Sequence, residues 1–147
     1  MKRRIEYYQV ASDKMKIILD LESKLNNSTI DKKLIELIKI RVSQINGCSY
    51  CIGLHTKDAR KNGVNEDEIY LLSVWKETNI YDDKTKIALE LTENITQIER
   101  FGVSDLVYEK VRTVFNEIEY VDLVLIINQI NMWNRLSIAM GNQYIRD

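Results

Sequence analysis

An all-α fold follows from three features of the chain. It holds no proline and only five glycines, so little in it punctuates a helix. Apolar residues recur at helical spacing, and no useful length alternates as a strand would. Each joint carries a recognisable start or stop signal. At 147 residues the chain fits one domain, spanning residues 1–147, of about six to seven helices.

The first helix is expected from about Ile5 to Leu25, ending in the polar joint Asn26-Asn27-Ser28. Ser28 or Thr29 then caps a second helix, in which Ile30, Leu34, Ile38, Val42 and Ile45 form one apolar stripe. Asn46-Gly47 breaks it. A third helix starts near Cys48 and stops at Asn62-Gly63, a C-terminal signal. Asn65 and Glu68 form a capping box for a fourth helix through Trp75. Asp82 or Asp83 opens a fifth, through about Glu99, and Gly102 and Ser104 separate it from a sixth that ends near Phe115. The last helix covers about Glu119 to Met140. Its middle is apolar nearly all round, which places it inside the fold or at a subunit interface and predicts a homo-oligomer.

Composition excludes several classes of function. Hydrophobic residues are 45% and charged residues 29%, as in ordinary globular domains. Twenty-one basic and 22 acidic side chains leave a net charge of −1. That balance gives no electrostatic reason to expect nucleic acid or an anionic membrane as partner. Met1-Lys2-Arg3-Arg4 is basic, but a polar run follows it, so no signal peptide is read and a cytoplasmic location is expected. The most apolar stretch, Val121 to Ile130, is too short to span a bilayer.

Chemistry concentrates on the third helix. Cys48 and Cys51 are the only cysteines. A disulfide across so short a loop constrains the unfolded chain little, so a purely stabilising role explains the pair poorly. In a reducing compartment a close pair points instead to catalysis or metal. Wound as a helix, Cys48, Cys51, Ile52, His55 and Ala59 share one face, with Cys51 and His55 one turn apart. Cys48 lies at the helix N-terminus, where exposed N–H groups favour a thiolate. His55, the only histidine, can take a proton from a sulfur or give one to a leaving oxygen. Two other readings stay open. The cysteines can be small buried hydrophobes beside a core histidine. Alternatively, Cys48, Cys51 and His55 can bind zinc, given a fourth ligand. Glu36 lies outside the apolar stripe of its helix, and by periodicity it reads as a solvated glutamate beside Lys32 and Lys39. Tyr50 faces away from the sulfurs and reads as surface or interface. Trp133, Met132 and Met140 read as core, and Asn134 and Arg135 as polar groups that need partners.

Glu36, Cys48, Cys51 and His55 together resemble the signature of the alkylhydroperoxidase AhpD and carboxymuconolactone decarboxylase family. That signature is a glutamate, then Cys-x-x-Cys, then a histidine after three further residues. The resemblance extends to Ile40-Arg41-Val42-Ser43-Gln44-Ile45-Asn46-Gly47, His55-Thr56-Lys57-Asp58-Ala59-Arg60, Tyr70-Leu71-Leu72-Ser73-Val74-Trp75 and Asn131-Met132-Trp133-Asn134-Arg135, so it covers most of the chain from about Ile30 to Ile138. It implies an all-helical homo-oligomer, often a trimer or hexamer, with no cofactor beyond a redox-active Cys48–Cys51 disulfide. It also implies a cysteine-based peroxidase acting on hydrogen peroxide or organic hydroperoxides, recycled by a cellular dithiol. Carried over by the resemblance, Cys51 is the peroxidatic residue, Cys48 the resolving residue, His55 the adjacent base and Glu36 the distal proton relay. The helix-end argument instead favours Cys48 as the more acidic thiol. The decarboxylase branch generally lacks the cysteine pair, which argues against lactone decarboxylation here. A thiol-disulfide reductase or redox sensor on the same scaffold, or a binding or assembly protein, are the rival functions.

Overall fold

The computed structural model describes residues 3–146; Met1, Lys2 and Asp147, at the two ends of the expected domain, lie outside them. The described residues contain no strand. Among the described residues nine α-helices run as α1 (Tyr7–Val10), α2 (Ser12–Asn26), α3 (Lys32–Asn46), α4 (Ser49–Lys61), α5 (Glu66–Tyr70), α6 (Asp83–Thr96), α7 (Ile98–Phe101), α8 (Asp105–Arg112) and α9 (Glu117–Ala139), with a 3₁₀ segment at Leu72–Glu77. Six of them reach eight residues or more, the size of the elements the periodicity predicts. The extra short helices come from local breaks.

Each break has a physical cause. The expected first helix divides at Ala11 (φ −128°, ψ 44°). The segment before it is tied to the far end of the chain: Arg4 N donates to Met140 O, and Asn142 Nδ2 donates to the Tyr7 hydroxyl. The fourth helix stops at Tyr70 rather than Trp75, and at its end the Tyr81 hydroxyl donates to Glu68 O at 2.6 Å. The fifth stops at Thr96, whose Oγ1 accepts from Asn131 Nδ2. The cap of α3 is Asp31, not Ser28 or Thr29; the Ser28 hydroxyl is buried without a hydrogen-bond partner among the described residues. The Asn65–Glu68 capping box forms as expected, Asp82 caps α6, and α9 opens on an Asn116–Glu119 box two residues earlier than the periodicity suggests.

Helix α3 is the axis of the molecule. It packs against α4, α6 and α9, and every residue from Leu34 to Ile40 is buried. The single apolar stripe expected of it is therefore an underestimate. Ile35, Ile38 and Val42 join Ile126, Ile127 and Ile130 of α9 in one core, while Leu37 and Ile40 join Ala59, Leu72 and Trp75 in a second. Enclosure of α3 on all sides is what carries Glu36 and Lys39 inside.

Candidate functional site

The redox pair is placed by the end of α3. Gly47 takes φ 69°, the left-handed conformation that suits glycine. Gly47 N then donates to Gln44 O and Cys48 N to Ser43 O, the paired bonds of a Schellman ending. Asn46 fixes this turn to α9 by donating to Asn131 Oδ1 at 2.9 Å and Asn134 Oδ1 at 3.0 Å. Asn134 in turn donates to Ser43 Oγ at 3.0 Å, which supplies the partners its buried position requires.

The chain leaves that turn with Cys48 as the N-cap of α4. Its Sγ accepts from Cys51 N at 3.3 Å, the position a capping oxygen takes elsewhere. Cys48 and Cys51 are joined by a disulfide, with Cα atoms 5.3 Å apart. The two sulfur-bearing residues differ in access. Cys48 is 1% exposed, whereas Cys51, at 4%, lines a cavity of about 170 Å³ with His55 from whose lining Cys48 is absent. The rest of that lining is largely apolar and aromatic: Tyr7, Tyr8, Leu19, Leu54 and Trp133, with Tyr50, which is a surface residue as expected but lines the same cavity as Cys51.

His55 and Glu36 are both 8% exposed and meet between α4 and α3, His55 Nδ1 lying 3.0 Å from Glu36 Oε2. The solvated reading of Glu36 is thus corrected: the carboxylate is interior and its partner is the lone histidine. The contact places one ring nitrogen on the carboxylate and leaves Nε2 as the nitrogen available on the other side of the ring. Behind the pair lies a polar cleft of about 310 Å³, lined by Glu36 and Asp58 with Lys32, Lys61, Asn26 and Asn62. The pair therefore separates an apolar cavity from a polar one. Ligand atoms of Glu36, His55 and Asp58 lie within 4.8 Å of one another, close enough to share a cation, although Lys61 already pairs with Asp58 at 3.2 Å.

Residues outside the sequence-derived set complete the site. Glu22 of α2 lines the Cys51 cavity, accepting from Lys39 Nζ at 2.5 Å and from Trp133 Nε1 at 3.0 Å. Burial pushes the Glu22 carboxyl up, but the Lys39 charge, the bonds from Lys39 and Trp133 and the nearby His55 outweigh it and hold it below its ordinary value. Glu22 had a signal in the sequence. It occupies the same helical register as Met15, Ile18 and Leu25, a charged residue in an apolar row. Ser137 of α9 lines the cavity as well, and nothing in its spacing marks it.

Against this geometry stands a match over more than half the chain. The sequence profile of the carboxymuconolactone decarboxylase family fits residues 15–94. The chain belongs to the carboxymuconolactone decarboxylase family. Within the breadth of that family, it is 53% identical over 143 residues to the uncharacterized protein YdfG of Bacillus subtilis strain 168, covering 97% of both chains. A crystal structure from Agrobacterium tumefaciens, described as a protein of unknown function and linked to antioxidant defence and AhpD, superposes with a TM-score of 0.94 at 33% identity, covering 99% of this chain and all of that one. A shorter match, 40% identical over 45 residues, reaches the alkyl hydroperoxide reductase AhpD of Mycobacteroides abscessus; it spans 31% of this chain and 26% of that protein. The resemblance read from Glu36, Cys48, Cys51 and His55 thus names the right family. No helix among the described residues is long and apolar enough to cross a membrane.

Proposed function

We propose that the protein is a cysteine-based peroxidase that reduces hydrogen peroxide or organic hydroperoxides through a Cys48/Cys51 dithiol–disulfide cycle. The observation that carries this reading is that Cys51, and not Cys48, opens onto the apolar cavity it shares with His55, whose Nδ1 is engaged by buried Glu36. Access thereby supports Cys51 over Cys48 as the attacking sulfur, whatever the helix end contributes to Cys48.

In the proposed cycle the Cys51 proton passes to His55 Nε2, and the Glu36 carboxylate stabilises the resulting imidazolium. The thiolate attacks the terminal peroxide oxygen, the O–O bond breaks, and the departing alkoxide or hydroxide takes the proton from His55. Cys51 is left as a sulfenic acid. Cys48 sulfur then attacks Cys51 sulfur and expels hydroxide, which leaves as water with the Cys48 proton. A dithiol donor returns two electrons and two protons and leaves as its own disulfide. No cofactor beyond the protein's disulfide enters this scheme. The reducing donor it requires fits a cytoplasmic setting. We also assign to the exposed face of α9 the assembly of a homo-oligomer, a trimer or hexamer.

The test is peroxide treatment of the dithiol form with intact mass readout. Loss of two hydrogens at stoichiometric peroxide, with repeated turnover when a dithiol is supplied, is the expected result. A dithiol form that exchanges readily with small disulfides but is inert to every peroxide would instead make the protein a thiol-disulfide reductase or redox sensor.

A further inference from the structure

The two ends of the chain meet at the Cys51 cavity. Tyr7 and Tyr8 of α1 form part of its lining, with their rings 4.8 Å apart, and Tyr7 is 7% exposed. Helix α1 has four residues and is set off from α2 by the non-helical backbone at Ala11, so it is too short to be stable by itself. The segment after α9 seats it. Asn142 Nδ2 donates to the Tyr7 hydroxyl at 2.8 Å, and Asn142 Oδ1 accepts from Arg3 Nε at 3.2 Å. Arg4 adds bonds from its N to Met140 O and from its Nη1 to Ala139 O.

Asn142 is itself placed from both sides. Its N donates to Ser137 O at 2.9 Å, which ties it to the end of α9. Two residues on, Tyr144 N donates to Ser49 Oγ at 3.3 Å, and the Tyr144 ring lies so close to Gly53 of α4 that a Cβ there would overlap it. The wall that α1 presents to Cys51 is thus held by a residue fixed to α9 behind it and to α4 ahead of it.

The dimensions of the chamber give that wall a consequence. An apolar cavity of roughly 150 Å³ takes a benzene-sized molecule, and the Cys51 cavity is about 170 Å³. We infer that Asn142 is a specificity-determining positioning residue: by holding Tyr7 in the wall, it limits the ligands of Cys51 to compact groups of about that size. Asn142 is absent from the cavity lining and acts through Tyr7. The chemical identity of the ligand rests on the peroxidase reading, under which the substrates are small alkyl or aryl hydroperoxides and not long-chain lipid hydroperoxides.

The experiment needs no peroxide. In Cys48→Ser protein Cys51 is the one remaining thiol. Its alkylation by N-ethylmaleimide and by the much larger N-(1-pyrenyl)maleimide is timed by intact mass, with glutathione as the unhindered reference. Both reagents consume the same thiolate, so a change in Cys51 acidity cancels in the ratio of the two rates, while a change in the wall does not. Relative to glutathione, the Cys48→Ser protein should disfavour the pyrenyl reagent at least tenfold. Adding Asn142→Ala should raise the bulky-to-small ratio about tenfold, the effect of losing one neutral hydrogen bond or slightly more from the closed wall. Tyr7→Phe keeps the ring and loses only the acceptor. It should shift the ratio the same way, and the two changes together should do no more than the larger one alone. Tyr7→Phe decides the matter if Asn142→Ala loses its helical circular dichroism. Ratios unchanged by these substitutions would overturn the inference. Equal acceleration of both reagents, the mark of general loosening, would overturn it too, as would a Cys48→Ser protein that discriminates no more than glutathione. Peroxide oxidation of Cys51 is scored separately. If the ratio depends on Asn142 while no peroxide oxidises Cys51, the size limit stands and the peroxidase reading falls. If Cys51 is oxidised but the ratio ignores Asn142, the reading stands and the size limit falls.

Discussion

His55 and Glu36 lie on different helices, 19 positions apart in sequence, and meet at 3.0 Å in a place where neither is solvated. That pairing orients the imidazole, and removing its two members should have unequal effects. His55→Ala removes the group that exchanges a proton with Cys51 and is expected to slow peroxide oxidation by about a hundredfold or more. Glu36→Gln keeps a carbonyl that can accept from Nδ1–H but loses the charge that stabilises the imidazolium. A smaller loss, about tenfold, is expected. Stopped-flow oxidation of the dithiol form measures both. Equal losses would mean that Glu36 does more than hold His55.

The asymmetry in access between the two sulfurs leads to the second expectation. Cys51→Ser should abolish the fast peroxide reaction. Cys48→Ser should still react but accumulate a sulfenic acid at Cys51, because the resolving sulfur is gone. A dimedone-type probe with peptide mass mapping reads the trapped species. If Cys48 in the Cys51→Ser protein reacts as fast as the parent, the roles are reversed and the helix N-terminus matters more than the cavity.

How far the sequence alone reaches is visible in these residues. Cys48, Cys51 and His55 were legible because all three depend on one helix, and helical winding alone places them on a face. The capping box at Asn65, the glycine stop at Gly47 and the cap at Asp82 are local too, and they hold. What escaped is non-local. Glu36 reads as solvated until α4, α6 and α9 are packed around α3. The stop at Tyr70 accompanies a contact from the Tyr81 hydroxyl to Glu68 O, 13 positions away. The break at Ala11 accompanies contacts with Met140 and Asn142, at the other end of the chain. Glu22 was readable only as an anomaly in an apolar row, and its partners, Lys39 and Trp133, lie on two other helices.

The buried Glu22–Lys39 pair should make the fold sensitive to acid. Glu22 is held below its ordinary value of 4.5 in the folded protein, despite burial, by Lys39, Trp133 and His55. Glu93 is likewise held below 4.5, burial again opposing and the bonds from Lys76, Trp75 and Arg41 prevailing. A carboxyl whose folded value is depressed contributes its stability above the unfolded value, and that contribution is lost as pH falls through the folded value. Melting temperature should therefore hold from neutral pH down to about 4.5 and drop below it. Glu22→Gln leaves the buried Lys39 charge without a carboxylate partner, with Asn26 Oδ1 at 2.8 Å still accepting from it. It is expected to cost about 3–5 kcal/mol at neutral pH and to flatten the acid limb. Thermal melts from pH 7 to pH 3 compare the two; parallel curves would show that the pair does not govern the acid limb.

The long final helix leaves Ile118, Val121, Leu125 and Met132 exposed, at 71%, 54%, 39% and 37%, although its opposite face is deep in the core. Their spacing puts these four side chains within one narrow stripe of α9, the pattern of a helix face that seats against another helix. A stripe of this kind on a small domain favours association between copies, and symmetric closure keeps such an assembly finite. The parent protein is expected to sediment as a closed oligomer at micromolar concentration. Val121→Glu should shift it toward monomer without loss of helix content, since Val121 is not part of either core. Sedimentation velocity paired with circular dichroism separates dissociation from unfolding. A parent that sediments only as monomer would rule out the assembly. A Val121→Glu oligomer of unchanged size would place the interface on another face, such as the exposed Ile98 and Phe101 of α7.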